Sequence, residues 1–163
     1  MAETTMPLEA IEIAMAKHFD FRHNIVVTNL SWGMLNHEAD IVVMSKSGYL
    51  TEVEIKRSWS DFLADFRKKH DHRDPLISYY YYAVPISIAE KVKQKLHDTK
   101  RDAQFGLLAF GADKFGTFVL CLSAAPSGNK RKLTDAEQFA VARLGALHVW
   151  TLKRKIIKLQ QNG

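Results

Sequence analysis

One cysteine, Cys121, stands in 163 residues, which excludes an internal disulfide framework and a cysteine-rich zinc module. Proline and glycine are sparse, at 4 and 8 residues, and no low-complexity tract or internal repeat breaks the chain. No apolar run approaches the roughly 18–20 residues that a membrane span needs, so no membrane partner is expected. The first residues, Met1-Ala2-Glu3-Thr4-Thr5, lack the basic start and apolar core of a signal peptide. With the lone cysteine, this sets the expectation of a cytoplasmic protein. Neither GxGxxG nor GxxxxGK[ST] occurs, so a glycine-rich phosphate loop is missing as well.

What is present is an ordinary globular balance, 47% apolar and 25% charged residues, in a length that suits one domain over 1–163. A core over about 7–123 would be followed by a basic loop and a C-terminal helix over about 124–160. The net charge is +5, unevenly spread. Residues 1–125 hold 15 Lys and Arg against 16 Asp and Glu, and residues 126–163 hold 8 against 2. Such a basic quarter fits a polyanionic partner, and equally a solvated helix face.

Periodicity predicts helices over about 7–18, 59–69, 86–96 and 134–159, with strands over 24–30, 38–45, 49–57, 78–84, 105–110 and 116–122. Ser58 is the expected cap of the second helix, and Thr134-Asp135-Ala136-Glu137 reads as a capping box. Lys46-Ser47-Gly48 reads as a three-residue hairpin turn, with Gly48 placed for a left-handed conformation. The order predicts an α/β (α+β) domain around one central mixed sheet flanked by helices, ending in a long C-terminal helix. Of the tyrosines at 79–82, two should face the core. Cys121 and Trp150 are also expected inside.

The stretches Ala39-Asp40-Ile41-Val42-Val43 and Glu52-Val53-Glu54-Ile55-Lys56 carry the chemistry. Glu52, Glu54 and Lys56 alternate with Val53 and Ile55 and so share one strand face. A hairpin centred on Ser47 sets Asp40 opposite Glu54, two like charges that destabilise a sheet unless something compensates. A divalent cation would do so, since hard carboxylate oxygens hold Mg²⁺ or Mn²⁺. Lys56 beside it would steady negative charge developing on a phosphate. The reaction this suggests is metal-assisted hydrolysis of a phosphodiester.

Asp40, thirteen intervening residues, then Glu54-Ile55-Lys56 resembles the PD-(D/E)XK nuclease signature, with Ala39 where the family's proline stands. The element order resembles that superfamily's restriction-endonuclease-like αβββαβ core. The stretch Lys56-Arg57-Ser58-Trp59-Ser60-Asp61-Phe62-Leu63-Ala64-Asp65, with Tyr80-Tyr81-Tyr82-Ala83-Val84-Pro85 and Phe105-Gly106-Leu107-Leu108, is similar to the MmcB-like DNA-repair nucleases, over about residues 8–110. The resemblance implies that Asp40 and Glu54 ligate Mg²⁺ or Mn²⁺, that the Ile55 carbonyl completes the metal site and that Lys56 is the catalytic lysine. It also implies a glutamate on the first helix. Glu12 lies about 40° round the helix from Leu8, against about 100° for Glu9, which favours Glu12. The partner implied is nucleic acid, most readily DNA, with a homodimer compatible. The rival is a nucleic-acid-binding module with a nuclease fold and no turnover.

Arg57, Lys68, Lys69, Lys130, Arg131 and Lys132 are the candidate backbone contacts, with Lys153, Arg154, Lys155 and Lys158 as a further basic group. Glu52, on the same face as Glu54 and one step nearer the turn, is open to a role behind the metal or at a second metal, but the expectation is that it meets solvent or a lysine. His37 offers at most a proton relay, and His70-Asp71-His72 reads as a polar loop because alternate spacing is not a helical ligand spacing.

Overall fold

The computed structural model of the chain describes residues 6–30, 33–66, 74–127 and 131–162. Lys68, Lys69, Lys130 and the His70-Asp71-His72 group lie outside the described residues. Helix α1 spans Leu8–His18, followed by strands β1 (Ile25–Leu30), β2 (Ala39–Met44) and β3 (Leu50–Ile55). Then come α2 (Trp59–Asp65), β4 (Ile77–Pro85), α3 (Ile86–Asp98), β5 (Phe105–Asp113), β6 (Gly116–Ser123) and α4 (Asp135–Gln161).

The six strands form one mixed sheet in sequence order, β1-β2-β3-β4-β5-β6. The β1–β2, β2–β3 and β5–β6 pairs are antiparallel, and β3–β4 and β4–β5 are parallel. The parallel pairs need crossovers, which α2 and α3 supply. The first six residues of β5 are all buried, as expected of a parallel strand covered on both faces.

The sheet separates two apolar layers. On one face, Ile11 and Met15 of α1 pack on Ile41, Val43, Val53, Ile55, Ala83 and Leu108. On the other, Val141 and Leu144 of α4 pack on Val27, Val42, Met44 and Leu50. Beside them Phe62 of α2 and Ala89, Val92 and Leu96 of α3 pack on Tyr82, Val84, Phe105 and Leu107. Tyr80 and Tyr82 join this second face, and Tyr81 joins the first.

The β2–β3 turn follows from Gly48, whose φ of +87° suits a residue without a Cβ, and whose amide donates to the Ser45 carbonyl at 2.8 Å. The register pairs Ile41 with Val53, Val42 with Glu52 and Val43 with Thr51, so the hairpin is centred on Ser47. Ser58 accepts from the Asp61 amide to cap α2, and Thr134 and Glu137 form a reciprocal capping box at α4.

Two core expectations are overturned. Cys121 is exposed, because β6 is an edge strand that the helices cover only in part. Trp150 is 59% exposed, because the second half of α4 runs past the sheet. At about 1.5 Å per residue a 27-residue helix is about 40 Å long, and its only buried residues are Val141 and Leu144. Among the described residues no helix is long and apolar enough to cross a membrane.

Candidate active site

The carboxyl end of β3 lies beside the parallel strand β4, near the start of α2. Lys56 follows directly on β3, its amide donating to the Ala83 carbonyl at 2.9 Å. The ladder continues the register towards Asp40 and Glu54, and Asp40 Oδ2 accepts the Ile55 amide at 2.8 Å. Burial raises the Asp40 pKa above the ordinary carboxylate value, and the Glu54 charge adds to it; the Ile55 amide and Lys56 oppose both. The two carboxylates therefore repel as their placement requires.

Glu54 and Lys56 are both buried, and the Lys56 ammonium sits 3.0 Å from Glu54 Oε2. Its other partner is Asp65 Oδ1, at 3.1 Å. Burial alone would lower the Lys56 pKa, but Glu54 and Asp65 outweigh it and hold the ammonium above the ordinary lysine range. Asp65 is buried at the end of α2, and its second oxygen accepts the Tyr82 hydroxyl. Arg101 Nη1 donates to the same hydroxyl oxygen at 3.4 Å. A buried lysine is thus held by one carboxylate from its own strand and one from the following helix.

Asp65 carries no role in the sequence reading. The one signal for it is its angle, about 60° from Phe62 round α2, the kind of edge position that singled out Glu12. Glu12 itself is half-buried beside the fully buried Ile11. Burial raises its pKa first, then the charge of Glu9, then that of Asp40, so α1 does present Glu12 to the Asp40 side. Arg57 is tied down, its guanidinium donating to the Met6 carbonyl at 2.9 Å and its amide to Asp61 Oδ2 at 3.0 Å. It lies one residue beyond Lys56.

Glu52 corrects the sequence reading. It meets neither solvent nor a lysine; it is fully buried, and its Oε1 lies 2.7 Å from His37 Nε2. The reason is that His37 lies over it, while Val42 stands opposite it on β2 and Tyr80 beside it on β4. Burial pushes the Glu52 pKa up to about 7, with Glu54 adding and His37 opposing. The bond to Glu52 raises His37, against its own desolvation. One ligand atom each from His37, Glu52 and Glu54 lie within 4.8 Å of one another.

The donor chemistry fits a hard divalent cation at Asp40 and Glu54. Both are carboxylates whose mutual repulsion such an ion would relieve, and Glu52 Oε2 beside them is buried without a hydrogen-bond donor among the described residues.

Of the remaining basic candidates, the described ones, Arg131 and Lys132, are not brought to this place. The Lys132 stem packs over the turn glycine, where a Cβ on Gly48 would lie 3.1 Å from Lys132 Cε. Glu54 lies six residue steps of extended chain, roughly 20 Å, from that turn glycine. Arg131 makes a bidentate pair with Glu137, at 2.8 and 3.1 Å, and so reinforces the α4 cap.

No family model and no curated protein matches the chain. A solved structure does: the SPO1766 protein of unknown function from Silicibacter pomeroyi is 18% identical, with a TM-score of 0.63. The alignment covers 99% of this chain and 98% of that one, so the likeness is to the fold and extends through α4.

Proposed function

We propose that this chain is a divalent-metal-dependent nuclease of the PD-(D/E)XK type, with a restriction-endonuclease-like core, that hydrolyses DNA phosphodiesters in repair or processing. The observation that carries the reading is the buried Lys56 ammonium clasped by Glu54 and Asp65, with Asp40 across the same hairpin. A lysine this deeply buried among carboxylates is costly to maintain as structure alone, because buried ion pairs rarely repay their desolvation.

Asp40 and Glu54 would hold Mg²⁺ or Mn²⁺, with the Ile55 carbonyl as a third donor. When bound, the ion supplies positive charge for a phosphate oxygen and lowers the pKa of water. Lys56 acts as a fixed cation and not as a base, because its partners keep it protonated. Its ammonium donates to Glu54 and is paired by charge with Asp65, so it is placed to direct a remaining N–H at a phosphate oxygen or at the attacking water. The pair fixes the ammonium before substrate arrives, so no reorganisation is needed as negative charge grows on phosphorus. Asp65, held in turn by Tyr82, positions Lys56. Glu12, its pKa raised by burial on the Asp40 side, is the group suited to accept the water's proton. As water oxygen bonds to phosphorus, the bond from phosphorus to the leaving oxygen breaks.

The test is cleavage of single-stranded, duplex and branched DNA with and without Mg²⁺. Wild type should cut at least one of them, and chelation should stop it. Glu54→Gln and Lys56→Met should lose at least about 100-fold in rate, the scale of one removed electrostatic stabiliser. Salt-sensitive DNA binding without any cleavage would favour the silent binding module instead.

A further inference from the structure

A second group of ligating atoms lies beside Glu54, along its own strand. Glu54 stands between Asp40, across the hairpin, and Glu52, two residues earlier on its own strand. Glu52 is fully buried, and among the described residues its Oε2 meets no N–H donor; the polar group it does face is the Glu54 carboxylate, a like charge whenever both are ionised. Its ladder neighbours Val42 and Tyr80 offer no compensating charge. Lys56 is turned to Glu54 and Asp65. A buried carboxylate with an unpartnered oxygen is unusual, because such groups nearly always find a partner.

His37 is held in place over it. The segment before β2 is anchored where the Asn36 amide donates to Asp74 Oδ2 at 2.9 Å, and Asp74 is itself buried. His37 Nδ1 lies 2.6 Å from Asn36 Oδ1, which orients the ring and leaves Nε2 facing Glu52 Oε1. Such an outer hydrogen bond on one imidazole nitrogen is what fixes the other as a metal donor. The His37 side chain is 18% exposed, enough for an entry path from solvent.

We propose that His37, Glu52 and Glu54 form a binding site for a divalent transition-metal cation of the Zn²⁺ or Co²⁺ class. The ion replaces the proton shared between His37 Nε2 and Glu52 Oε1 and takes the idle Glu52 oxygen. One imidazole and two carboxylates suit these metals, whereas Mg²⁺ prefers oxygen ligands and keeps its waters. Glu54 links this site to the Asp40 side, but the site stands on His37 and Glu52 whether or not the chain cuts DNA.

The experiment titrates the metal-stripped full chain with Co²⁺, followed by visible absorption, and with Zn²⁺, followed by calorimetry. Wild type and Asp40→Asn should each take up one tightly held ion, with the same saturating Co²⁺ absorption. His37→Ala and Glu52→Gln should weaken it at least about 100-fold, the upper end of what removing even a supporting partner costs. His37→Gln, which keeps bulk at a partly exposed position, separates lost ligation from lost folding, as do metal-free melts of each variant. Millimolar Mg²⁺ should not displace the Co²⁺ signal. Unchanged tight binding in folded His37→Ala or His37→Gln would overturn the assignment, as would loss of the ion in Asp40→Asn or no saturable uptake by wild type.

Discussion

Glu52 and His37 make the site's charge balance depend on pH. In its metal-free form the folded chain holds Glu52 protonated up to about pH 7, whereas the unfolded chain releases that proton near its ordinary value of 4.5. The folded state therefore binds more protons across that window, and stability falls as pH rises through it. His37 acts in the same direction: its raised pKa lends stability that is full below the unfolded value and lost as pH rises through the folded one. The two share one proton and count once. In the presence of a chelator, the melting temperature should fall between about pH 5 and pH 8, by the equivalent of up to about 3 kcal/mol. Glu52→Gln should flatten that slope, and an unchanged slope in this variant would contradict the buried pair.

The sequence made Asp40, Glu54 and Lys56 legible because register arithmetic and strand alternation are geometric. Glu52 was misplaced because alternation says which residues share a face, and not whether that face is covered. The cover comes from His37, 15 residues from Glu52 along the chain, and only packing reveals it. Cys121 and Trp150 fail for the converse reason: apolar neighbours implied a core that an edge strand and an overhanging helix do not supply.

Among the elements, α2 matters most, since it is short and brings Asp65 to Lys56. Asp65→Ala leaves a buried ammonium short of one partner and should cost about 3–5 kcal/mol in chemical denaturation. Asp65→Asn, which keeps the hydrogen-bonding shape, should be milder and should reduce cleavage through misplacement of Lys56. Equal losses of stability in the two variants would argue that volume, not charge, is what Asp65 supplies. On β5, a Cβ at Gly106 would lie 2.5 Å from the Ala125 nitrogen and run into the Tyr81 ring. Gly106→Ala should therefore lower the melting temperature, with an overpacking cost of about 1–3 kcal/mol. A neutral result would mean that the segment after β6 moves aside freely. Element order, both caps and the glycine turn were readable in advance because they depend on neighbours a few residues apart. The sheet order was not, since parallel pairing of β3, β4 and β5 is set by long crossovers.

At the scale of the whole molecule, charge and apolar surface are distributed apart from the carboxylate site. The end of α4 carries Lys153, Arg154, Lys155 and Lys158, and no acidic residue follows Glu137. Arg131, by contrast, is neutralised by Glu137. Under the nucleic-acid reading, removal of residues 150–163 should leave the melting temperature nearly unchanged, because the residues it removes that the structure describes are all exposed. It should also lower the salt dependence of DNA binding, by about 0.9 in slope for each phosphate that the shortened chain no longer neutralises. An unchanged slope would assign DNA binding to other cations.

The central claim is that Asp40 serves phosphodiester hydrolysis, and single-turnover DNA cleavage in Mg²⁺ by Asp40→Asn beside wild type tests it most directly. Asparagine keeps the shape and can still accept the Ile55 amide, so the hairpin should stay intact while one anionic ligand is removed. The account predicts an unchanged metal-free fold and a rate reduced at least about 100-fold. Cleavage at the wild-type rate by folded Asp40→Asn, or no metal-dependent cleavage by wild type on any of the DNA forms, would contradict it.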